Sequence, residues 1–288
     1  MPSDTGVGEP VDRASATRVL ITGAAGFLAR TVARIAPAHW SLVGLVRSGS
    51  SAAFPRYERI HDSLTTLPAS DQLDCVLHLA ASIPSKGVPV PTEMRDVNVG
   101  LVGDLIARYP SARHVLASSV SVYGTPVSLP LTVDSESVDP GPYGISKLDA
   151  ERLIERVQHH AVLRFTSLIG TGMRADSFIP AAIAGARFGT IRVYGDGRRL
   201  QDYLAVEDAA AMCIQAAEST ASFRALGVSG RSYSNLEVAE LLAGFTGASV
   251  VFHGTDDSPS FAYDIGGERH IGPAHRELPE TLSEMVSA

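Results

Sequence analysis

Tyr143 and Lys147 stand four apart in Pro142-Tyr143-Gly144-Ile145-Ser146-Lys147. On a helix that spacing sets both side chains on one face. An ammonium beside a phenol opposes the phenolate charge and lowers a pKa that otherwise sits near ~10, so the pair can exchange a proton with a carbonyl or hydroxyl oxygen. Such a pair also recurs by chance, and a further group is needed to give it meaning. Ala117-Ser118-Ser119-Val120-Ser121-Val122-Tyr123-Gly124 supplies one, directly after the apolar run 113–118. A hydroxyl at the C-terminal end of a parallel strand faces the crevice where open α/β sheets place ligands, and it can orient a reacting oxygen. The plain alternative is that these serines only cap a loop.

A second chemistry-bearing segment lies near the start. Gly23-Ala24-Ala25-Gly26-Phe27-Leu28-Ala29 follows a short β-branched run and opens the helical pattern LARTVARIA. Gly23 can make a sharp turn, and Gly26 lets the backbone approach a pyrophosphate. The unpaired N–H groups where the helix opens, at Phe27 and Leu28, favour an anion. Ala29 stands where a third glycine is usual. At the end of the next strand, NAD-binding chains place a carboxylate for the ribose hydroxyls, whereas this chain has Val46-Arg47-Ser48. A guanidinium and a hydroxyl suit a 2′-phosphate, so the expected cofactor is NADP (NADPH). NAD is the alternative, with Arg47 a solvated loop residue stacking on adenine. An oxidised nicotinamide near Tyr143 would favour the phenolate further.

These residues need a scaffold, and the pattern predicts one. Strands are expected at 18–22, 41–46, around 58–60, at 74–80, 113–118 and 161–166, alternating with helices that include 92–109 and 143–158. Alternation of this kind implies right-handed crossovers and a doubly wound parallel sheet, the Rossmann fold of the α/β class. Residues 1–17 read as a flexible N-terminal arm and 18–166 as a dinucleotide-binding core. Residues 167–288 read mostly as a small substrate-binding cap, with elements that rejoin the core.

Composition narrows the classes. Of 288 residues, 45% are hydrophobic and 19% charged, enough apolar material for a real core and against disorder. The net charge of −7 argues against nucleic acid as a partner. No run reaches the ~20 apolar residues of a membrane span, and the polar start is unlike a secretory signal, so a cytoplasmic protein is expected. Cys75 and Cys213 lie far apart in apolar surroundings and read as core thiols. The nine histidines show no recognised ligand spacing, so no metal is expected. A Gly-x-Ser-x-Gly elbow, which a serine hydrolase would want, is lacking around Ser119.

Taken in order, Thr22 to Leu28, Asp74-Cys75-Val76-Leu77-His78-Leu79-Ala80-Ala81, Asn98, the SSVSVYG run ending at Gly124 and YGISK at 143–147 form one pattern. The chain resembles the extended short-chain dehydrogenase/reductases of the nucleotide-sugar epimerase, dehydratase and 4-ketoreductase group, over roughly residues 18 to 280. Val193-Tyr194-Gly195-Asp196-Gly197 and Asp202 to Asp208 extend the likeness into the cap. The resemblance implies that Tyr143 is the acid/base, Lys147 its pKa modulator and ribose ligand, and Ser119 the hydroxyl that binds the reacting oxygen. It further implies that Asp62 with Ser63 meets the adenine, that Leu79, Ala80 and Ala81 pass the cofactor, that Asn98 supports the site and that His78 is structural. A homodimer packed through the 92–109 helix and the Tyr/Lys helix is also implied.

Two departures bear on the substrate. Relatives commonly carry an asparagine where this chain has Ser167 and an arginine where it has Gln201. A neutral glutamine does not replace a charge-assisted phosphate contact. Either Arg198, Arg199, Arg192 or Arg231 takes over, or the substrate is not a nucleotide sugar. Family dehydratases carry an acidic pair where Val120 and Ser121 stand, which disfavours dehydration. Arg47 then favours an NADPH-dependent 4-ketoreductase of a nucleotide-activated sugar. An NAD-dependent 4-epimerase is the alternative, and a non-catalytic dinucleotide-binding sensor or scaffold a further one.

Overall fold

The computed structural model describes residues 16–50, 54–85, 87–266 and 270–288. The expected N-terminal arm falls outside them up to residue 15. In chain order the elements are β1 (Thr17–Thr22), α1 (Phe27–Ile35), β2 (Trp40–Leu45), β3 (Arg59–His61), β4 (Cys75–His78), α2 (Leu101–Arg108), β5 (Arg113–Ser119), α3 (Pro142–Ile154), β6 (His160–Phe165) and β7 (Ser167–Ile169). There follow α4 (Phe178–Ala186), β8 (Thr190–Tyr194), β9 (Leu200–Ala205), α5 (Val206–Glu218), β10 (Phe223–Gly227), β11 (Ser232–Ser234), α6 (Asn235–Thr246), β12 (Ser249–His253) and α7 (Leu278–Ser287).

Seven strands form one sheet in the order β10-β6-β5-β4-β1-β2-β3, and every neighbouring pair is parallel. Strands buried on both faces need apolar residues at every position, which is why RVLIT and CVLH read as continuous runs and not alternating ones. On one face Val19, Ile21, Val32, Leu77, Leu163, Ala209 and Met212 make a core with α1 and α5. On the other, Leu20, Val43, Val76, Leu105 and Tyr109 pack together, and Leu116 and Val162 meet Ala150 and Ile154 of α3. The strand order reverses between β1 and β4, the switch point at which doubly wound sheets open their crevice.

After β6 the chain builds a second layer: a three-stranded sheet, β11-β9-β7, and a parallel pair, β12 with β8. Their own core joins Ile179, Ile183, Val193, Tyr203, Val238, Leu242 and Leu282. Between these pieces, α5 packs on the α1 face and β10 pairs with β6, completing the main sheet. No helix among the described residues is long and apolar enough to cross a membrane.

The structure corrects one expected element. The helix read over 92–109 starts at Met94, widens into a π-type stretch, Asp96–Gly100, and only then becomes α2. The cause is Asn98, which is drawn inward: its Oδ1 accepts from Ser82 N at 2.8 Å, and its Nδ2 donates to Ser82 O and Ser146 Oγ, each at 3.0 Å. Such wide turns often mark functional sites.

Candidate active site

The first turn after β1 is a close-fitting backbone cradle. Gly23 has φ +65°, and a Cβ there would lie 2.8 Å from Ala80 Cα, so only glycine fits between the β1 turn and the chain leaving β4. Gly26 N donates to Gly23 O at 2.7 Å, tightening the loop that opens α1 at Phe27 and Leu28. Thr22 Oγ1 accepts from both Leu79 N and Ala80 N at 3.0 Å, which fixes the Leu79–Ala81 segment across the crevice. This glycine cradle, with helix N–H groups beneath it and no side chain in the way, fits a dinucleotide pyrophosphate. Arg47 lies exposed in the turn after β2, with no acidic partner among the described residues. Asp62 is exposed just past β3, and Ser63 Oγ caps the next turn by accepting from Thr65 N at 3.2 Å.

Ser119 ends β5, and its Oγ accepts from Ser121 N at 3.2 Å, holding the serine turn in place. Helix α3 lies directly against that turn because Gly144 has no side chain; a Cβ there would sit 2.3 Å from Ser121 O. The glycine of Tyr143-Gly144 therefore brings the phenol to Ser119. Lys147, on the same face, is buried; its Nζ donates to Ala117 O at 2.8 Å and lies 5.8 Å from the centre of the Tyr143 ring.

The electrostatics differ from the simple expectation of an ammonium lowering a phenol. Burial pushes Tyr143 up to about 12, opposed by a hydrogen bond with Ser119 and by the charge of Arg174. Burial likewise pushes Lys147 down to about 8, opposed by the charge of Glu151. Lys147 is tied to a backbone carbonyl, so in the chain alone desolvation decides both groups. Behind Lys147, Arg164 donates to both oxygens of Glu151, at 3.1 and 2.7 Å, and Ser118 Oγ donates to the same carboxylate at 2.5 Å. Tyr143, Lys147 and Glu151 thus share one stripe of α3, with the last anchored in the sheet.

His78 is buried against His114, with Nε2 and Nδ1 2.9 Å apart, and His114 Nε2 donates to Tyr109 O at 2.9 Å. Burial, then His114 and Lys147, hold His78 well below its ordinary pKa, so it packs as a neutral ring. Among the described residues no group of three His, Cys, Asp or Glu side chains is placed to hold a metal.

The cap adds a cavity of about 980 Å³, lined by Asp176, Phe178, Arg192, Arg199, Gln201 and Asp256 among others. Of the five residues the sequence nominated for substrate, Arg199 and Gln201 line this cavity, whereas Ser119, Ser167 and Arg231 do not. Ser167 is exposed on β7, and the Arg231 guanidinium stacks 4.4 Å over the Tyr233 ring instead. Arg198 is exposed in its turn and faces Asp196. Arg192, on the outer side of β8, has no acidic partner among the described residues.

Sequence reasoning did not find Arg174. This residue donates to Ile83 O at 3.2 Å and Ser85 Oγ at 2.8 Å, pairs with Asp176, and acts on the Tyr143 hydroxyl. No local pattern announces it, since it reaches the site from a glycine-bearing loop far along the chain. Asn235 and Asp256 were missed for the same reason.

The family model described as "NAD dependent epimerase/dehydratase family" matches residues 19–228. A UDP-glucose 4-epimerase of Mycolicibacterium smegmatis is 28% identical, covering 80% of this chain and 83% of that protein. One from Bacillus subtilis is 24% identical, covering 92% and 95%. Among solved structures, MoeE5 in complex with UDP-glucose and NAD is 26% identical with a TM-score of 0.78, covering 94% of this chain and 97% of MoeE5. A UDP-glucuronic acid 4-epimerase from Bacillus cereus, at 18% identity and a TM-score of 0.80 with 94% and 98% covered, shares the fold. Of the two reactions the sequence left in play, these relatives favour the NAD-dependent 4-epimerase over the NADPH-dependent ketoreductase.

Proposed function

The chain belongs to the NAD-dependent epimerase/dehydratase family and is an enzyme of that family; from that premise we propose that it is an NAD-dependent 4-epimerase of a nucleotide-activated sugar, with a UDP-hexose as the first candidate substrate. The observation that carries this reading is the seating of Tyr143 on Ser119 through the Gly144 contact, beside the Gly23 cradle. A bound nicotinamide supplies a place for the substrate's hydride to go and to return from. The protein's own residues manage the oxygen. Tyr143 takes the proton of the C4 hydroxyl when the carbinol is oxidised and gives it back when the ketone is reduced on its other face. Ser119 hydrogen-bonds that oxygen and keeps it within reach of the phenol. Lys147, held by Ala117 O and kept cationic in part by the charge of Glu151, supports the phenolate.

Dehydration is less well served. Val120 and Ser121 follow Ser119, and the Glu151 carboxylate behind the site is occupied by Arg164 and Ser118. No carboxylate in this group is free to remove a proton next to the ketone. The ketoreductase remains the second reading on one observation, the exposed Arg47 at the end of β2, where a 2′-phosphate would find a guanidinium.

Absorbance and native mass spectrometry of the purified protein separate the two. The epimerase is expected to retain NAD and to interconvert UDP-glucose and UDP-galactose with no added cofactor. An empty protein that takes up NADPH far better than NADH, and consumes it with a keto-sugar nucleotide, overturns the proposal in favour of the ketoreductase.

A further inference from the structure

One wall of the cap cavity has a defined hydrogen-bonding polarity. It is set from Asp256, whose carboxylate can only accept. Asp256 Oδ2 receives Asn235 Nδ2 at 3.3 Å, and Asp256 Oδ1 receives Ser258 N at 3.1 Å. With its amide nitrogen turned to Asp256, Asn235 presents Oδ1 to Gln201, whose Nε2 donates to it at 3.1 Å. The same nitrogen also donates to the Tyr203 hydroxyl at 2.9 Å. Both N–H groups of Gln201 are therefore used inside the protein. Its carbonyl Oε1 has no protein donor among the described residues, and Gln201 lines the cavity.

Charge in the cavity is divided in the same sense. Arg199 faces Asp256 at 4.0 Å and donates Nε to Pro259 O at 3.1 Å, so its charge is largely answered by the protein. Arg192 lines the same cavity without an acidic partner among the described residues. We infer that Gln201 accepts a hydrogen bond from the nucleoside part of the substrate, a ribose hydroxyl or a base N–H, while Arg192 carries recognition of the diphosphate. The inference rests on the nucleotide-sugar reading above. Of the three parts of such a substrate, the glycosyl group must lie beside Tyr143 and Ser119. Phosphate oxygens at neutral pH offer no donor and are repelled by a carbonyl. The nucleoside alone has donors left to give, and Phe178, Phe188 and Tyr194 line the cavity with rings for its base.

The test is the affinity of the NAD-supplemented protein for uridine and for UDP, measured by titration calorimetry. Loss of one neutral hydrogen bond predicts that Gln201→Met weakens both ligands roughly tenfold, leaving their ratio unchanged. Gln201→Glu keeps an acceptor toward the ligand but sets a carboxylate oxygen against Asn235 Oδ1, so both ligands weaken, and UDP, now facing a carboxylate, weakens more than uridine. Arg192→Ala is expected to weaken UDP roughly tenfold and leave uridine unchanged. If Gln201→Met weakens UDP alone, the amide is a phosphate donor and the assignment is overturned; if it weakens neither, Gln201 touches no nucleoside and the assignment also fails. Wild-type protein that binds neither uridine nor UDP removes the UDP-hexose reading on which this inference rests, and the inference with it.

Discussion

Around Gly23 and Gly26 the polar groups on offer are backbone, fixed by a parallel sheet and by a threonine hydroxyl that ties two strand ends together. Around Gln201 they are side chains, held by one another: Asp256 orients Asn235, which orients Gln201. The first region offers a shape that any pyrophosphate can use, because main-chain N–H groups do not depend on residue type. The second offers a pattern of donors and acceptors that single substitutions can invert. On the function proposed above, cofactor binding goes with the fold and substrate choice with a few cap side chains.

The sharpest way to break that division is at the point between the regions. Tyr143→Phe removes the proton carrier, and kcat is expected to fall about 10³-fold with NAD and UDP affinities kept; unchanged turnover in a steady-state assay overturns the assignment. On the core side, Glu151→Gln leaves Arg164 buried beside a neutral group, and chemical denaturation is expected to show a loss of about 3 kcal/mol. Gly23→Val forces a Cβ into the Ala80 backbone at positive φ, with a cost of about 2 kcal/mol and NAD affinity lost in parallel, while uridine binding in the cap stays intact.

An effect of similar size is expected as a pH dependence in the cap. Asp202, buried on β9, accepts from Ser229 N, Ser229 Oγ and Gly230 N at 2.9, 2.8 and 3.1 Å, yet burial raises its pKa from 3.8 to about 6. Between those values the folded chain holds a proton that the unfolded chain has released, so this group's contribution to stability falls as pH rises through the window. Thermal melts of Asp202→Asn and wild type from pH 4 to 7 are expected to move in the variant's favour by about 2 kcal/mol over that range. A constant difference would mean that Asp202 does not titrate there.

Contiguous motifs made much of this legible from residues alone. The six strands expected came within one or two residues of β1 to β6, because parallel strands write themselves as apolar runs, whereas β10 and the cap strands were not placed. The Gly23 turn and the Tyr143–Lys147 spacing were equally local. What escaped was non-local or solvation-dependent. Asn98 opens a wide turn only because Ser82 and Ser146 lie beside it. Arg174, Asn235 and Asp256 converge from separate loops, and no periodicity links them. Tyr143 and Lys147 were placed together, but their proton affinities are set by how deeply the fold buries them, which spacing does not record. Reading the reaction from Arg47 gave one exposed side chain more weight than the relatives support.

The excursion of the chain between β6 and β10 has a practical consequence for protein engineering. Residues 167–205 build part of the cap, 206–227 return as α5 and β10 to finish the main sheet, and the segments after them supply β11, α6 and β12 to the cap again. The cap is therefore not one transplantable cassette. A chimera that swaps everything after residue 166 also replaces the edge strand of the core, whereas two separate grafts around an unchanged α5 and β10 would exchange the cap cavity and leave the sheet whole.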